Sequence, residues 1–581
     1  RLHVTGRLDH ALTKSHLLRS SLVTADSDRR NLGVGNFDLD DRAYSRRTRD
    51  RILRFSESGP WGRSIFAESR LQLRWQSTGS SSVLEAPTVK VLDAFTSGGA
   101  QQAGERRATG MELATDVDWT RGRHAVRAGL LVEAGWYRSD TWTNYLGTFT
   151  FTSLADFEAG RPANWTRRGG DPRVTFSQWQ AGIYIQDDWR VRQNLTVSAG
   201  LRQEVQTNLG DRLNLAPRFG ITWSPFTHGR TTVRAGGGIF YEWLDAEIFE
   251  QTLRVDGVHQ RDLVVTNPGY PDPLGGGAAQ EILPGGKYVL SPDLVMPTRV
   301  LTNVGVSHRF LPTFSLNVSY SRSRGYDRFR GRNINAPDAS GNRPDPTIGT
   351  VTQVESTAGF RGDTISAGIN FNVPARRMFM FANYAWMRQE NDADGAFSLP
   401  AGSYDLAAEW GPVTGVPRHM VSAMLTTSLW KNLRVGVNAI ARSGAPYNIT
   451  TGRDDNGDTV FNDRPSGVGR NSARGEGMWD VSARVGYTFG FGDRPVDAGG
   501  TGTPTVVVHR AGGSGSDLLG ALGGGGAEDK RFRIELFATA SNLFNVVNST
   551  GYSGVMTSPF FLQPTAAMSG RRIDVGLRMG F

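Results

Sequence analysis

Cysteine is absent from this sequence, which excludes a disulfide scaffold and any thiolate zinc site but leaves the compartment open. Long apolar runs are missing too. No stretch approaches the roughly 18 to 20 consecutive apolar residues that a spanning helix needs, and apolar residues make up only 38% of the chain. A helical membrane protein is therefore excluded. A transmembrane barrel is not, because only every second residue of its strands faces lipid. Lysine is confined to Lys14, Lys90, Lys287, Lys431 and Lys530, so the net charge of +9 is carried mostly by arginine. The arginines are spread along the chain among 56 acids rather than gathered on an arm. That distribution describes a mixed-charge solvated surface and gives no nucleic-acid partner.

Signatures of chemistry are equally scarce. There is no G-x-S-x-G, H-E-x-x-H or P-loop pattern, and the nine His form no i, i+4 pairs. The glycine runs at 236–238 and 523–526 do not sit between a parallel strand and a helix, so they do not read as phosphate cradles. We expect no enzyme and no required cofactor; the enzyme alternative, an outer-membrane hydrolase, would need a Ser, a His and an acid meeting in space. The chain begins at Arg1 with RLHVTGRLDH, which already reads as a strand entering a turn. The expectation is a chain that lacks its N-terminal part, so a missing signal peptide is no evidence for the cytoplasm.

What is present is period-two alternation. Leu195, Val197, Ala199 and Leu201 alternate with Thr196, Ser198, Gly200 and Arg202, and Val481, Ala483, Val485, Tyr487 and Phe489 alternate with Ser482, Arg484, Gly486 and Thr488. The same pattern runs through 213–223 and 313–320. Many runs reach about nine to eleven residues, the length of a tilted membrane strand, against five or six for a typical soluble one. Strands are expected near 1–9, 14–23, 42–54, 63–76, 106–119, 123–138, 176–189, 194–207, 212–224, 231–243, 298–310, 313–324, 362–371, 377–387, 418–429, 432–442, 478–490, 530–542 and 571–581. Parity makes Val197, Ile221, Val318, Val435, Val485 and Val575 outward-facing and Arg202, Arg218, Asn317, Arg434, Arg484 and Arg572 lumenal.

Connections alternate between short (120–124, 190–194, 310–313, 430–432) and long (139–175, 244–297, 325–363, 388–418, 443–478). Short periplasmic turns and long outer loops belong to outer-membrane barrels. Trp75, Trp119, Trp136, Trp189, Trp223, Tyr241, Trp243, Trp386, Trp430 and Trp479 fall at strand ends, where amphipathic rings suit the lipid–water boundary. The fold class expected is all-β, a large antiparallel transmembrane β-barrel with about 19 visible strands of 22. Twenty-two is the size of a plugged outer-membrane transporter, and three strands preceding the visible ones would complete it. The whole of 1–581 is one domain, with 491–529 a flexible Gly-rich periplasmic insertion.

Three local features carry candidate function. The C-terminal run Ile573, Val575, Leu577, Met579 and Phe581 alternates with polar residues and ends on an aromatic; it resembles the signal by which barrel assembly machinery recognises its substrates, with Phe581 as the terminal element. Asp454, Asn456 and Asp458 form a D-x-N-x-D run with Asp463 nearby. Alternate oxygens in a tight loop suit calcium, but Thr459 and Pro465 stand where an EF-hand has Gly and Glu, and a hydrogen-bonded Asx-turn is the competing reading. Trp142, Tyr145, Trp165 and Tyr270 lie in the long loops, where aromatic surfaces suit ligand binding and mutual packing of the loops equally well.

The segments YIQDDWRVRQNLTVSAGLRQE at 184–204, LNLAPRFGITWSP at 213–225, TTVRAGGGIFYEW at 231–243, SGAPYNITTGRDDNGDTVFNDRPSGVGRNS at 443–472 and FRIELFATASNLFN at 532–545 resemble those of Oar-like TonB-dependent transporters. The resemblance implies a Gram-negative outer-membrane receptor that binds a large extracellular ligand through its outer loops. It also implies import with a plug domain and the energy-transducing TonB complex, neither plug nor TonB box being visible in the chain. A surface receptor or adhesin without import is the rival. The partners implied are outer-membrane lipid, TonB, the barrel assembly machinery and an unidentified ligand.

Overall fold

The structure, a computed structural model, describes residues 2–226, 229–430, 432–493 and 530–580. Its wall is made of β1 (Leu2–Ala11), β2 (Leu17–Leu32), β3 (Tyr44–Trp61), β4 (Ile65–Ser82), β5 (Gln102–Arg121), β6 (His124–Ser139), β7 (Val174–Arg192), β8 (Leu195–Gln206), β9 (Asn214–Trp223) and β10 (Thr231–Tyr241). It continues with β11 (Thr298–Leu311), β12 (Phe314–Asn333), β13 (Val351–Val373), β14 (Met378–Asn391), β15 (His419–Trp430), β16 (Leu433–Arg442), β17 (Met478–Asp493), β18 (Lys530–Ser541) and β19 (Arg572–Gly580). Each strand pairs antiparallel with the next in sequence. Among the described residues β1 pairs only with β2 and β19 only with β18. Among the described residues the wall is thus an up-and-down sheet of 19 strands with two free edges.

Directly opposed residues in a ladder point to the same face, so the registers settle which side each chain faces. Val197 opposes Ile221, Ile221 opposes Ala235, Ala235 opposes Val304, Val304 opposes Tyr320 and Tyr320 opposes Ile365. Val435 opposes Val485, which opposes Ala538, which opposes Val575. This apolar face is exposed, Val575 to 82%, as a lipid-facing surface must be. On the other face Arg218 opposes Gly200 and Gly238, Asn317 opposes Ser307 and Gly368, Arg484 opposes Gly436 and Thr539, and Arg572 opposes Ser541. The parity read from the sequence holds.

The polar face pairs its own charges. Arg74 makes two bonds to Asp50, of 2.8 and 2.9 Å, and Arg484 Nη2 donates to Glu535 Oε1 at 2.8 Å. Tyr184 on β7 reaches over β6 to donate to Asp116 on β5 at 2.5 Å. It crosses at Gly129, where a Cβ would stand 2.5 Å from the Tyr184 ring. A side chain there would push the Tyr184 ring off this path; no turn is involved.

Tryptophans mark both ends of the apolar face. On β7 both Trp179 and Trp189 are outward and exposed, 48% and 43%. Ten residues at about 3.3 Å, tilted by about 40°, span about 25 Å of membrane normal, the height of an outer-membrane apolar band. Trp75, Trp136 and Trp479 join the loop-side belt, and Trp61, Trp119, Trp223 and Trp430 the turn-side belt. Trp243 does not join either; it follows β10 and lines a cleft at the mouth.

Several boundaries differ from the sequence expectation. The connection placed at 325–363 shrinks to 334–350, because β12 and β13 stay paired beyond the belt through Asn333 and Thr352, with two bulges near Arg328. Above the membrane both faces of these strands are covered, so alternation is lost although pairing persists. The segment 494–529 and Phe581 lie outside the described residues; Asp493, Lys530 and Gly580 end their strands on the short-turn edge.

Adjacent positions give a direct check of the two faces. Val318→Arg should destabilise the folded protein in lipid by about 2–4 kcal/mol, and Asn317→Arg by under about 1 kcal/mol. Guanidinium unfolding from lipid vesicles measures both; equal effects would contradict the register.

Candidate functional site at the mouth

The long loops build a second sheet. Its strands are Phe95–Gly98, Thr88–Val91, Thr148–Phe151, Asn164–Gly170, Gln260–Thr266 and Glu281–Leu290, in that spatial order. The last pairs parallel with the top of β13, Lys287–Leu290 against Val351–Val354. The sheet therefore runs from the loop after β4 to the wall at β13. The sequence pattern does not mark these segments as strands. Runs such as Thr148–Phe151 and Leu263–Thr266 carry a β-branched and aromatic signal, but each is too short to stand alone.

Its core is the largest apolar cluster among the described residues. Val91, Phe149, Phe151, Trp165 and Val265 are at most 6% exposed, with Phe157 and Leu263 packed against them. Each such side chain contributes about 1.5–3 kcal/mol by leaving water. Gln101, 2% exposed, ties two loops together. Its Nε2 donates to Thr88 Oγ1 at 2.9 Å and Gly147 O at 2.6 Å, and its Oε1 accepts from the amides of Leu146 and Gly147.

Below the sheet, helix α1 (Ala246–Arg254) lies against the polar face of the wall. Arg106 Nε donates to Glu250 Oε2 at 2.7 Å, Arg254 pairs with the same Glu250, and Arg254 Nη2 donates to Ser139 Oγ at 2.8 Å. The peptide oxygen of Leu244 accepts from Gln178 and Gln206, at 2.6 and 2.8 Å. Next to this helix a cleft of about 410 Å³ is lined by Gln72, Arg74, Glu112, Glu133, Tyr137 and Trp243. A second, of about 1040 Å³, is lined by Arg46, Asp50, Gln102, Arg106, Trp142 and Glu247.

At the rim, the loop before the last strand meets loops from the other end of the wall. Ser553 and Ser558, between β18 and β19, donate to Asp93 Oδ2 and Asp93 O at 2.9 and 2.6 Å. Phe560 of the same loop packs on Phe37, between β2 and β3, at 5.7 Å. The last loop thus touches loops from the first strands across the two free edges.

A model of the outer membrane beta barrel domain matches residues 63–214 and 209–573. The chain belongs to that family. It is an outer-membrane protein, and the barrel part of the resemblance read from the sequence is established. Its fold is shared with the outer membrane transporter YddB from Escherichia coli, at 12% identity and TM-score 0.64 over 99% of this chain and 68% of that one. The FrpB iron transporter from Neisseria meningitidis follows at 11% identity and 0.58, over 100% and 71%. The siderophore receptor PirA from Pseudomonas aeruginosa aligns at 12% and 0.52, over 100% and 70%. No curated protein sequence matches the chain.

In this outer-membrane barrel domain the loop aromatics separate. Trp165 is 6% exposed inside the loop core, whereas Tyr270 is 40% exposed and meets Phe149 and Phe151 edge-on. Trp142 is 37% exposed on the larger cleft and packs edge-on against Tyr145 at 6.1 Å. Tyr145 donates to Glu85, and burial, aided by that carboxylate, pushes its hydroxyl up to about 12.

Residues Asp454 to Asp463 form a compact turn whose oxygens accept backbone amides. Asp454 takes the amides of Asp458 (3.0 Å) and Thr459 (2.8 Å), Asp458 that of Val460 (2.8 Å), and Asp463 that of Asp455 (2.8 Å). Thr459 is left-handed, φ 74°. Asn456 donates to Ala401 O at 2.7 Å, docking the turn on the 392–418 loop, and Arg464 and Glu409 clamp the pair at 2.7 Å. This is the Asx-turn arrangement. Among the described residues no group of three or more His, Asp or Glu is placed to hold a metal.

Burial, reinforced by the charges of Asp454 and Asp463, raises the Asp458 carboxyl to about 6. The folded turn therefore disfavours the ionised form. Its stability is greatest at low pH, falls as the unfolded chain ionises above about pH 4, and levels out above about pH 6. Amide exchange within 454–463, corrected for intrinsic rates, should be about tenfold better protected near pH 5 than near pH 7, and Asp458→Asn should reduce the difference to the part left by Asp454 and Asp463, which burial also shifts upward. A flat profile in the unaltered protein would refute the raised carboxyl.

Removing one core ring tests the loop sheet as a unit. Phe151→Ala should cost it about 3–5 kcal/mol while the wall stays intact. Protease on intact cells should then cut within 83–101, 140–173 and 242–297 together; cleavage confined to one loop would show that they fold independently.

Proposed function

We propose that this chain is the barrel of a TonB-dependent importer, closed at 22 strands by segments beyond those described. It binds a large ligand at the mouth and passes it inward past a plug domain under force from TonB. The observation that carries this is the loop sheet beside polar clefts: a folded cover at one end of a wall whose inner face is polar. A wall of this many strands is too wide for its own side chains to fill, so selective passage needs a plug, and the outer membrane has no ATP to move one. The likeness to transporters and receptors over 68–71% of their length supports the same reading. Trp142, Tyr145 and Tyr270 supply contact surface, and Arg46, Asp50 and Arg106 the polar contacts.

The ligand can be found by difference. Spent medium from cells with the intact gene, with the gene deleted, and with the proton gradient collapsed should be compared by mass spectrometry. The deletion and the uncoupled cells should leave the same large solute in the medium, and Trp142→Ala with Tyr270→Ala should cut its uptake by about tenfold, roughly 1.4 kcal/mol of binding. A solute that is held on the surface but never internalised would replace import with a receptor or adhesin. Calcium at Asp454, Asn456, Asp458 and Asp463 is a separate proposal. It requires those oxygens to exchange backbone donors for the cation, and calorimetry of the folded protein with millimolar calcium tests it.

A further inference from the structure

Five arginines face outward on one side of the wall, in the tryptophan belt and just on its loop side. Arg51 opposes Trp75, Trp75 opposes Thr109, and Thr109 opposes Trp136, which defines the belt on β3 to β6. One row further out, Arg49 opposes Ser77, Ser77 opposes Arg107, and Arg107 opposes Arg138. Arg47 continues the same face of β3. None of the five is buried. Arg107 is held by Glu105 at 2.7 Å. Arg47, Arg49, Arg51 and Arg138 have no ion pair within 4 Å and no hydrogen bond among the described residues. The acids beside the patch are Asp26 and Asp28 on β2, opposite Arg49 and Arg47, Glu105, whose charge also reaches Arg49, and Asp140, whose charge reaches Arg107. A hollow of about 290 Å³ lies between Arg49, Arg51, Trp75 and Arg107, with the Glu105 carboxylate on its lining beside Arg107.

The matching height on β12 to β14 behaves differently. There Arg388 pairs with Glu390 at 2.9 Å, Arg361 pairs with the same carboxylate, and Arg322 faces Asp363 at 3.9 Å. That side sets the carboxylates Asp363 and Glu390 among its four arginines, Arg322, Arg324, Arg361 and Arg388, whereas on the β3 to β6 side four of the five guanidinium forks make no ion pair among the described residues where the apolar band gives way to headgroups. A guanidinium binds phosphate oxygens in bidentate fashion and is weakly hydrated, so this depth suits it. Directly beneath, Leu53, Leu71, Leu73 and Leu113 share the outward face, a ladder that acyl chains can cover and a free anion cannot use.

We propose that the outward arginine patch of β3 to β6 binds the phosphorylated headgroup of a glycolipid in the outer leaflet. The assignment to that leaflet rests on the proposed orientation with the long loops outside. The folded chain should be placed in phosphatidylcholine nanodiscs doped with bisphosphorylated lipid A or with its dephosphorylated form, and its Tm followed. The phosphorylated lipid should raise Tm by several degrees and the dephosphorylated form should not. In Arg47→Gln/Arg49→Gln/Arg51→Gln/Arg138→Gln the lipid concentration for half the effect should rise by at least about tenfold. Arg322→Gln/Arg324→Gln/Arg388→Gln, on the other side, should keep the response even if its baseline Tm drops. A quadruple variant that responds like the unaltered protein, or an unaltered protein that does not respond, overturns the proposal. An equal rise from millimolar inorganic phosphate also overturns it, in favour of a free-anion site. Orientation is read separately from labelling of Ser466→Cys by an impermeant maleimide on intact cells. Failure there moves the patch to the other leaflet and leaves the nanodisc result standing, since the discs carry lipid on both faces.

Discussion

Everything in this molecule follows from the cost of an unsatisfied peptide group in hydrocarbon. No water is available there to accept from an N–H or donate to a C=O, so the backbone must pair with itself. A long antiparallel ladder does this, and it fixes the period at two. Each strand then has one lipid face and one lumenal face, and residues such as Val318 and Asn317, neighbours in sequence, live in opposite solvents. The same constraint makes β1 and β19 consequential, because each carries a row of backbone groups with no neighbour among the described residues.

The inversion of solvent also relocates the hydrophobic core. In the wall, the large apolar side chains are the exposed ones, and the lumenal face is held by ion pairs and by glycines that let long side chains lie flat, as Gly129 does beneath Tyr184. Water-driven burial returns only above the membrane, where Phe149, Phe151 and Trp165 close a core between loops that are far apart in sequence. The protein is thus two kinds of folding problem on one chain. Backbone pairing fixes the wall, and ordinary apolar packing shapes the mouth.

Charge is sorted by the same geometry. Arginine directed inward meets Asp or Glu on the neighbouring strand, as Arg74 meets Asp50 and Arg484 meets Glu535. Arginine at the mouth fastens the cover to the wall through Arg106, Arg254 and Glu250. Outward arginine at the belt is mostly ion-paired on β12 to β14 and mostly unpaired on β3 to β6. A composition in which arginine outnumbers lysine so heavily matches these uses, since planar bidentate pairing is what each of them needs.

The sequence by itself determined the wall. Alternation placed all the main strands, their order and their faces, because a two-residue period in a lipid-facing strand has only one register that keeps Arg202, Arg218 and Arg484 out of hydrocarbon. It also located the short and long connections, and the D-x-N-x-D run as a tight turn. It missed the upper halves of β12 and β13, because coverage on both faces erases alternation. It could not separate Trp165, a core ring, from Trp142, a cleft ring, since both are tryptophans in long polar loops. It could not see the loop sheet either, whose strands of four to ten residues gain their partners from loops about 50 to 100 residues apart. Only tertiary structure decided that mouth, because the contacts that stabilise it do not exist until the wall has brought those loops together.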